Sequence, residues 1–208
     1  MFVLGVLVAA GAAAGCSRST AAEVTLGRAG SLPPTPTTTV KSKVTPGAFS
    51  VSSFDVEGPG SPASVETVKA AVVRTLDRYL EAGVLTPLRS GGPAGDLRPL
   101  FTARAAEHMW ATDRDAFVDE GLPPSSRIVA KASGLRLAGL AEPGGDVVLV
   151  SARMDLKLVA GADAAAITID RGADLVLVAD GDDWKIDSYQ VRVSRDTPGS
   201  STSVVSGQ

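Results

Sequence analysis

The most constraining feature of this sequence is a region, from about residue 126 to residue 195, in which apolar and polar residues alternate. One segment shows the alternation most plainly, because every second residue in it is apolar: Val148, Val150, Ala152, Met154, Leu156 and Leu158. The residues between them are largely polar: Ser151, Arg153, Asp155 and Lys157. Since successive side chains of a strand point to opposite faces, this period predicts a strand with one buried and one solvated face.

The whole region predicts four consecutive strands joined by turns. The first strand covers residues 126–140, and three turns separate the four strands: Glu142–Gly145, Gly161–Asp163 and Asp180–Gly181. The Asp-Gly pair in the last turn favours a tight hairpin. Because antiparallel neighbours can be joined by such short connections, the region predicts an antiparallel meander.

The side of the chain that carries the apolar residues changes within the first and the fourth strand. The change falls at Ser133–Gly134 in the first strand and at Asp187–Ser188 in the fourth. One extra residue in a strand moves all later side chains to the opposite face, so both positions predict a β-bulge. Two bulges in long antiparallel strands predict a strongly curved sheet.

Amphipathic helices are predicted before the strands. The first begins at Ser61–Pro62, carries apolar residues at helical spacing to Ala82, and is expected to end at Gly83. A second, shorter helix is predicted over residues 96–110 and a third over residues 113–120. The predicted fold class is therefore α+β, with N-terminal helices packed on a curved four-stranded antiparallel meander.

This order of elements, with the closing segment Gly181-Asp-Asp-Trp184-Lys-Ile186-Asp-Ser-Tyr189, resembles the NTF2-like superfamily. That superfamily has a cone-shaped α+β fold shared by ketosteroid isomerase and SnoaL-like proteins. The closing segment is also similar to the domains of actinobacterial Mce-associated proteins. The resemblance covers residues 61–195 and implies a sheet wrapped around a helix to enclose a tapered cavity, but it says little about function.

We expect that cavity to be apolar. A helix of about 20 residues covers only two to three strands, so a space remains where the shorter helices end. Seven side chains are expected to line it: Leu76, Tyr79, Leu80, Met109, Trp110, Met154 and Trp184. Such a lining can hold an apolar ligand or a side chain of a partner, but it offers no matched acid and base for catalysis.

The N-terminus resembles that of a bacterial lipoprotein. Its first 15 residues form an apolar run with the length of a signal-peptide core, too short to span a bilayer. The run ends in Ala13-Ala-Gly-Cys16, which resembles a lipobox, although Ala13 stands where that motif usually has leucine. Because no Lys or Arg precedes Arg18, we expect the translation start to lie upstream of Met1.

The lipoprotein resemblance implies that residues 1–15 are a signal peptide and that Cys16 carries the lipid. It also implies an anchor on the extracytoplasmic side of the cell membrane. The alternative is a soluble protein with an apolar N-terminus and a buried Cys16. The chain has a single cysteine, so an internal disulfide is excluded.

Two segments outside the predicted domain lack the periodicity of a packed structure. Residues 16–60 are predicted to be a Pro/Thr-rich linker, in which residues 49–56 form an extended arm or a short edge strand. Residues 196–208 are rich in Ser, Gly and Thr and are predicted to be a disordered tail. Residues 61–195 are therefore expected to fold alone.

Catalytic and metal sites are only weakly indicated. His108 can be interpreted as half of an acid–base dyad with Asp113 or Asp115, but a surface histidine at a helix end is the favoured interpretation. Tyr79 is interpreted as a core tyrosine with its hydroxyl at the cavity edge rather than as an active-site group. The acidic turn at residues 180–183 lacks the alternating ligand spacing of a calcium loop. The sequence thus predicts no catalytic residue, cofactor or metal.

Two classes of function follow from these features. The favoured one is a non-enzymatic envelope lipoprotein that binds a protein partner or a small apolar ligand, including a structural subunit of a larger complex. The alternative is a small isomerase or dehydratase that uses the cone as its active site. A nucleic-acid partner is not expected, because the net charge is −3 and charges of both signs are interspersed.

Changing Cys16 to Ala is expected to abolish lipidation, because the thiol is the site of acylation in lipoproteins. The variant should accumulate as an unprocessed precursor that incorporates no labelled fatty acid. It should also lose its lipid anchor, because stable anchoring requires two or more acyl chains. Labelling followed by membrane fractionation measures both effects. A variant that is labelled and fractionates like the wild type would exclude the lipoprotein interpretation.

Overall fold

A six-stranded mixed sheet forms the centre of the computed structural model, which describes residues 49–58 and 65–208. The strands follow the order of the chain across the sheet: β1 Ser50–Glu57, β2 Ile128–Ala141, β3 Val147–Ala160, β4 Ile167–Asp180, β5 Asp183–Thr197 and β6 Ser200–Gly207. β1 pairs with β2 in parallel, and every other neighbouring pair is antiparallel. The predicted signal peptide, Cys16 and the Pro/Thr tract lie outside the described residues.

The predicted fold class, helices on a four-stranded antiparallel meander, is wrong. The four predicted strands correspond to β2–β5, but the sheet has one further strand at each edge and is mixed in direction. Both edge strands are rich in serine and carry few large apolar residues. No residue of either strand is fully buried, so neither strand shows the strong apolar alternation of the central strands.

β1 lies inside the segment that was assigned to the linker. Val51, Phe54 and Val56 pack against the hydrophobic core, and Phe49 is itself buried. The backbone N–H of Phe49 also donates to the Asp77 carboxylate at 3.3 Å. The alternative interpretation of residues 49–56 as a short edge strand is therefore confirmed, and the domain does not begin at residue 61.

β6 lies inside the segment that was expected to be a disordered tail. It pairs with β5 from Ser200 opposite Thr197 to Gly207 opposite Gln190. Val204 packs against the core from this strand. The expectation of a disordered tail is wrong, because the hairpin turn at residues 198–199 lets β6 pair with β5 without a long apolar run.

Both predicted bulges exist, one of them at a slightly different position. In β5 the extra residue is Asp187, because Ser188 pairs with Val176 while Ile186 pairs with Leu177. In β2 the register shift lies between Ala130 and Ala132, just before the predicted site. A further shift at the β2–β3 turn puts Val147 opposite Ala141 and leaves Val148, which was assigned to the buried face, 38% exposed.

Short helical segments form a layer over one face of the sheet. They are α1 Val65–Tyr79, a π-helical segment Leu80–Leu85, α2 Thr86–Ser90, a 3-10 turn Arg98–Leu100, α3 Ala103–His108, a second π-helical segment Met109–Asp113 and α4 Arg114–Phe117. None of the helices in the described part of the chain is long and apolar enough to cross a membrane.

The first helical run does not end at Gly83 as predicted. It continues to Ser90 and ends at Gly91, which has the left-handed backbone conformation (φ 68°) typical of a helix C-terminus. Gly83 has a different purpose, because a Cβ atom there would lie 2.8 Å from the carbonyl oxygen of Phe117. The glycine lets the Phe117 segment pack directly on the helix. The predicted start at Ser61–Pro62 falls outside the described residues.

The core lies between this helical layer and the sheet. It contains the inward side chains of the strands, such as Leu135, Val150 and Leu177, together with Leu76 and Val84 from the helical layer. We call the opposite surface of the sheet the open face. It carries the outward side chains: Arg136, Ala138, Ser151, Arg153, Asp155, Lys157, Asp170, Asp174, Val176, Ser188, Gln190 and Arg192.

Candidate functional site

The residues predicted to line a cavity instead fill the interior. Six of the seven belong to one core cluster and are at most 6% exposed: Leu76, Tyr79, Leu80, Met109, Met154 and Trp184. Trp110 is the exception, because it is 42% exposed on the outside of the helical layer. The helical segments therefore cover the sheet more completely than the sequence suggested.

A buried arginine lies in the middle of this interior. Arg171 extends inward from β4, and its side chain is fully buried. Its guanidinium donates to the hydroxyl oxygen of Tyr79 at 2.8 Å, to the carboxylate of Asp119 at 2.9 Å and to the carbonyl oxygen of Ala116. A guanidinium can be buried at tolerable cost only when its donors are paired, and most of these donors are.

Asp119 lies at the centre of this hydrogen-bond network. Its carboxylate is fully buried and accepts one hydrogen bond from Arg171 and a second, at 2.6 Å, from Nε of Arg195. Its backbone N–H donates to the carbonyl oxygen of Gly83 at 3.0 Å. Asp119 thus joins β4 and β5 through its carboxylate and the first helical run through its backbone.

Two guanidinium groups face one carboxylate here, so the network has a net positive charge. Neutral oxygen atoms supply the remaining acceptors: those of Tyr79 and Ala116 for Arg171, and the carbonyls of Asp115 and Val118, at 2.9 Å and 2.8 Å, for Arg195. Burial raises the pKa of Tyr79, although the charge of Arg171 opposes the shift. Tyr79 is therefore a neutral acceptor within the core, where it is almost fully buried.

The sequence contained a signal for Arg171 but none for Asp119. Arg171 lies between Ile169 and Ala173 on the inward parity of β4, where a charged residue contradicts the alternation. A charge at an inward position indicates a buried partner. The partner Asp119 lies in the loop after α4, whereas the sequence predicted a helix over residues 113–120, so its inward position could not be identified from the sequence.

His108 is paired with Asp113, one of its two predicted partners. Its Nε2 atom lies 3.3 Å from a carboxylate oxygen of Asp113, which also accepts a hydrogen bond at 2.9 Å from the hydroxyl of Tyr189. The other predicted partner, Asp115, contacts Arg195 through its carbonyl. Burial, with a smaller contribution from Asp113, raises the pKa of Tyr189.

This triad of His108, Asp113 and Tyr189 connects the second π-helical segment to β5. Tyr189 packs its ring on Phe117 with centroids 4.8 Å apart, so its position is fixed by the core. His108 is partly exposed at the surface. The carboxylate therefore lies between a buried phenol and a surface imidazole.

Trp110 is held on the surface by two arginines. The guanidinium carbons of Arg98 and Arg114 each lie 4.9 Å from the centre of its ring. These arginines also pair with carboxylates, Arg98 with Asp96 and Arg114 with Glu120. The predicted role of Trp110 as a cavity wall is wrong, because the residue covers the outside of the helical layer.

The acidic turn at residues 180–183 uses its carboxylates in ion pairs. Asp180 contacts Lys185, and Asp183 lies 3.9 Å from Arg78. Within residues 49–58 and 65–208, no group of three or more His, Cys, Asp or Glu side chains is arranged to hold a metal ion.

The open face carries shallow concavities between charged side chains. One, of about 670 Å³, extends across the middle strands over the small side chains of Ala138, Ser151 and Ser188. Another, of about 460 Å³, lies over Ala132 and Gly172. Both are shallow because no element covers this face within the described residues. The open face is the candidate functional site of the domain.

Cross-strand ion pairs border these concavities. Arg153 contacts Asp174 at 2.8 Å, and Arg192 reaches the same carboxylate at 3.6 Å. Two further pairs join β3 to its neighbours: Arg136 with Asp155 at 3.4 Å, and Lys157 with Asp170 at 2.7 Å. The result is a surface of alternating charge, with fixed donors and acceptors and small residues between them.

Comparison of this chain with protein-family models, with curated proteins and with solved structures returns no match. The resemblance to NTF2-like domains and to lipoproteins therefore remains a prediction from the residues.

Replacing Arg171 by Met is expected to lower the free energy of unfolding by about 3–5 kcal/mol, because Asp119 loses a buried partner. Asp119→Asn should be similarly costly, and the double variant should cost less than the sum of the two. Urea denaturation measures all three.

The matched control is the exposed pair Lys157 and Asp170, where Lys157→Met and Asp170→Asn should each cost at most about 1 kcal/mol. Equal costs at the two pairs would contradict a central role for the buried network.

Neither tyrosine should ionise while the protein is folded. Tyr79 and Tyr189 are the only tyrosines of the chain, and both have a raised pKa, so the native state keeps phenolic protons that the unfolded chain loses near pH ~10. Their contribution to stability is complete below that pH and is lost as the pH rises above it. Phenolate absorbance and circular dichroism should therefore change in one step on alkaline titration. A tyrosine that titrates normally in a chain with unchanged dichroism would contradict this.

Proposed function

We propose that this chain is a membrane-tethered, non-enzymatic interaction module of the cell envelope, which presents the open face of its sheet to a protein partner. The observation that carries the proposal is the filled interior. Side chains that would have formed an active-site cavity, such as Leu76, Met109 and Met154, are fully buried and pack on one another. A site for recognition must then be sought on the surface.

The open face suits a protein partner better than a small apolar ligand. Its concavities are shallow and are bordered by charged residues of both signs. Fixed charges of both signs give an interface specificity and register through electrostatic complementarity. The small side chains of Ala138, Ser151 and Ser188 leave room for projecting side chains of a partner, and such anchors usually carry much of the binding energy.

The predicted lipid anchor and linker agree with such a role. Lipidation of Cys16 would hold the domain at the extracytoplasmic face of the membrane, and the Pro/Thr-rich segment would separate the domain from that surface. A tethered module needs only modest affinity, because confinement near its partner raises the effective concentration.

The alternative function, a small isomerase or dehydratase, has one observation in its favour. His108 and Asp113 lie within 3.3 Å of each other, as an acid–base pair requires. His108 is partly exposed at the surface, however, and none of the concavities described above contains it. Tyr79, the other polar group of the enzyme hypothesis, accepts a hydrogen bond from Arg171 in the closed core. The binding module is therefore the proposed function.

Reversing the charge of Arg153 is expected to abolish partner binding, because this residue borders the larger concavity and pairs with Asp174. The full-length anchored protein, wild type or Arg153→Glu, would be affinity-purified from membranes and the proteins bound to each compared. Arg89→Glu is the matched control, since Arg89 is similarly exposed but lies in the helical layer.

The proposal requires a protein that co-purifies with the wild type and with Arg89→Glu but not with Arg153→Glu. Circular dichroism of the purified variants would show that each remains folded. Loss of the partner from Arg89→Glu but not from Arg153→Glu would place the binding surface on the helical layer and contradict the proposal. Turnover of a small substrate that is lost on His108→Ala would favour the enzyme instead.

A further inference from the structure

The two edges of the sheet are protected to different degrees. β1 carries the acidic residues Asp55 and Glu57, and its register shifts between Val51 and Ser53. Charged residues and bulges of this kind prevent an edge strand from pairing with another chain. β6, from Ser200 to Gly207, contains no charged residue, no proline and no register shift against β5. It is the unprotected edge of the described sheet.

The hydrogen-bond pattern shows which backbone groups of β6 point outward. The N–H of Gln208 donates to the carbonyl of Tyr189 at 3.0 Å, so these two residues form a hydrogen-bonded pair. Hydrogen-bonded and non-hydrogen-bonded pairs alternate along an antiparallel ladder. Along the β5–β6 register, the residues whose N–H and C=O groups point away from β5 are therefore Ser201, Ser203, Val205 and Gly207.

These four residues are all exposed, and the side chains of the two serines and the valine lie on the open-face side of the strand, because the register places them opposite outward residues of β5. Val205 is 66% exposed, although its neighbour Val204 packs against the core. The outward donors and acceptors of β6 have no partner among the described residues, and together with an exposed valine they are the features that allow a further strand to pair.

We propose that β6 pairs with β6 of a second copy of this chain, antiparallel about a two-fold axis, so that the two sheets become one continuous sheet. A second copy is inferred as the partner because β6 is complementary to itself. With the axis at Val204, Ser203 faces Val205 of the second copy and Ser201 faces its Gly207. Each outward residue then exchanges both of its backbone hydrogen bonds, and the same patch serves both subunits, as an isologous dimer requires.

Charge also favours a second copy over an unrelated peptide. Because β6 contains no charged residue, two β6 strands place no like charges opposite each other, and no charge repulsion opposes this register. A strand made of Ser, Thr, Val and Gly also offers no charge by which it could select a different sequence. The proposal does not depend on what the open face binds.

The oligomeric state tests this proposal directly. Sedimentation equilibrium of the full chain in detergent, from low to tens of micromolar concentration, is expected to show a species of twice the chain mass. Ser203→Pro removes an outward N–H from each copy and places a ring in the interface, so it should weaken the dimer about tenfold or more. Ser203→Ala is the matched control and should leave the dimer intact.

A second variant covers the case in which Ser203→Pro does not fold. Val205→Lys puts a charge at the edge of each copy without changing the backbone, and it should also dissociate the dimer. Ser53→Lys, at the other edge, should not. The proposal is overturned by a wild-type chain that stays monomeric, by a dimer that persists in Val205→Lys, or by a monomer whose β6 captures a foreign extended peptide. Dissociation by Arg153→Glu alone would place the dimer contact on the open face and would equally overturn it.

Discussion

The closed interior of this domain depends on the carboxylate of Asp119. After the first helical run, the helical layer consists of segments only one or two turns long, and such segments have little stability of their own. Asp119 fixes the last of them to the sheet through Arg171 and Arg195 and to the first helical run through Gly83. Without it, two guanidinium groups would be left with neutral acceptors only, so the position of the layer and the burial of both charges depend on each other.

This constraint makes the interior costly to open for a ligand. Because Arg171 uses Tyr79 and Ala116 as acceptors and pairs with Asp119, most of its donors are already occupied by other groups of the interior, although its Nε atom has no hydrogen-bond partner within the described residues. Opening the interior to a substrate would expose an arginine that is fully buried and would break several hydrogen bonds at once. Recognition is therefore much less costly at the surface, where the charged ladders of the open face are already solvated.

Alternation along a strand is a local signal, and it predicted β2–β5 and the bulge at Asp187 correctly. The edge strands were missed for two reasons. β1 pairs with a strand from which the whole helical layer separates it in the sequence, and β6 has few apolar residues. Six of the seven proposed cavity residues do lie between helices and sheet, but the sequence could not show how tightly they pack. Among the residues of the candidate open face, the outward polar positions of β3 followed from the alternation, whereas their ion-pair partners required the strand register.

The parallel pairing of β1 has a mechanical consequence. The chain enters the domain through Phe49 and β1, so a pull on the N-terminal segment acts first on the hydrogen bonds between β1 and β2. If the pull follows the strand, these bonds share the load and must break together instead of opening one after another. The strand would then resist tension between the proposed membrane anchor and the proposed partner at the open face. A pull on the N-terminal segment would reach β6, at the opposite edge, only through the strands between them.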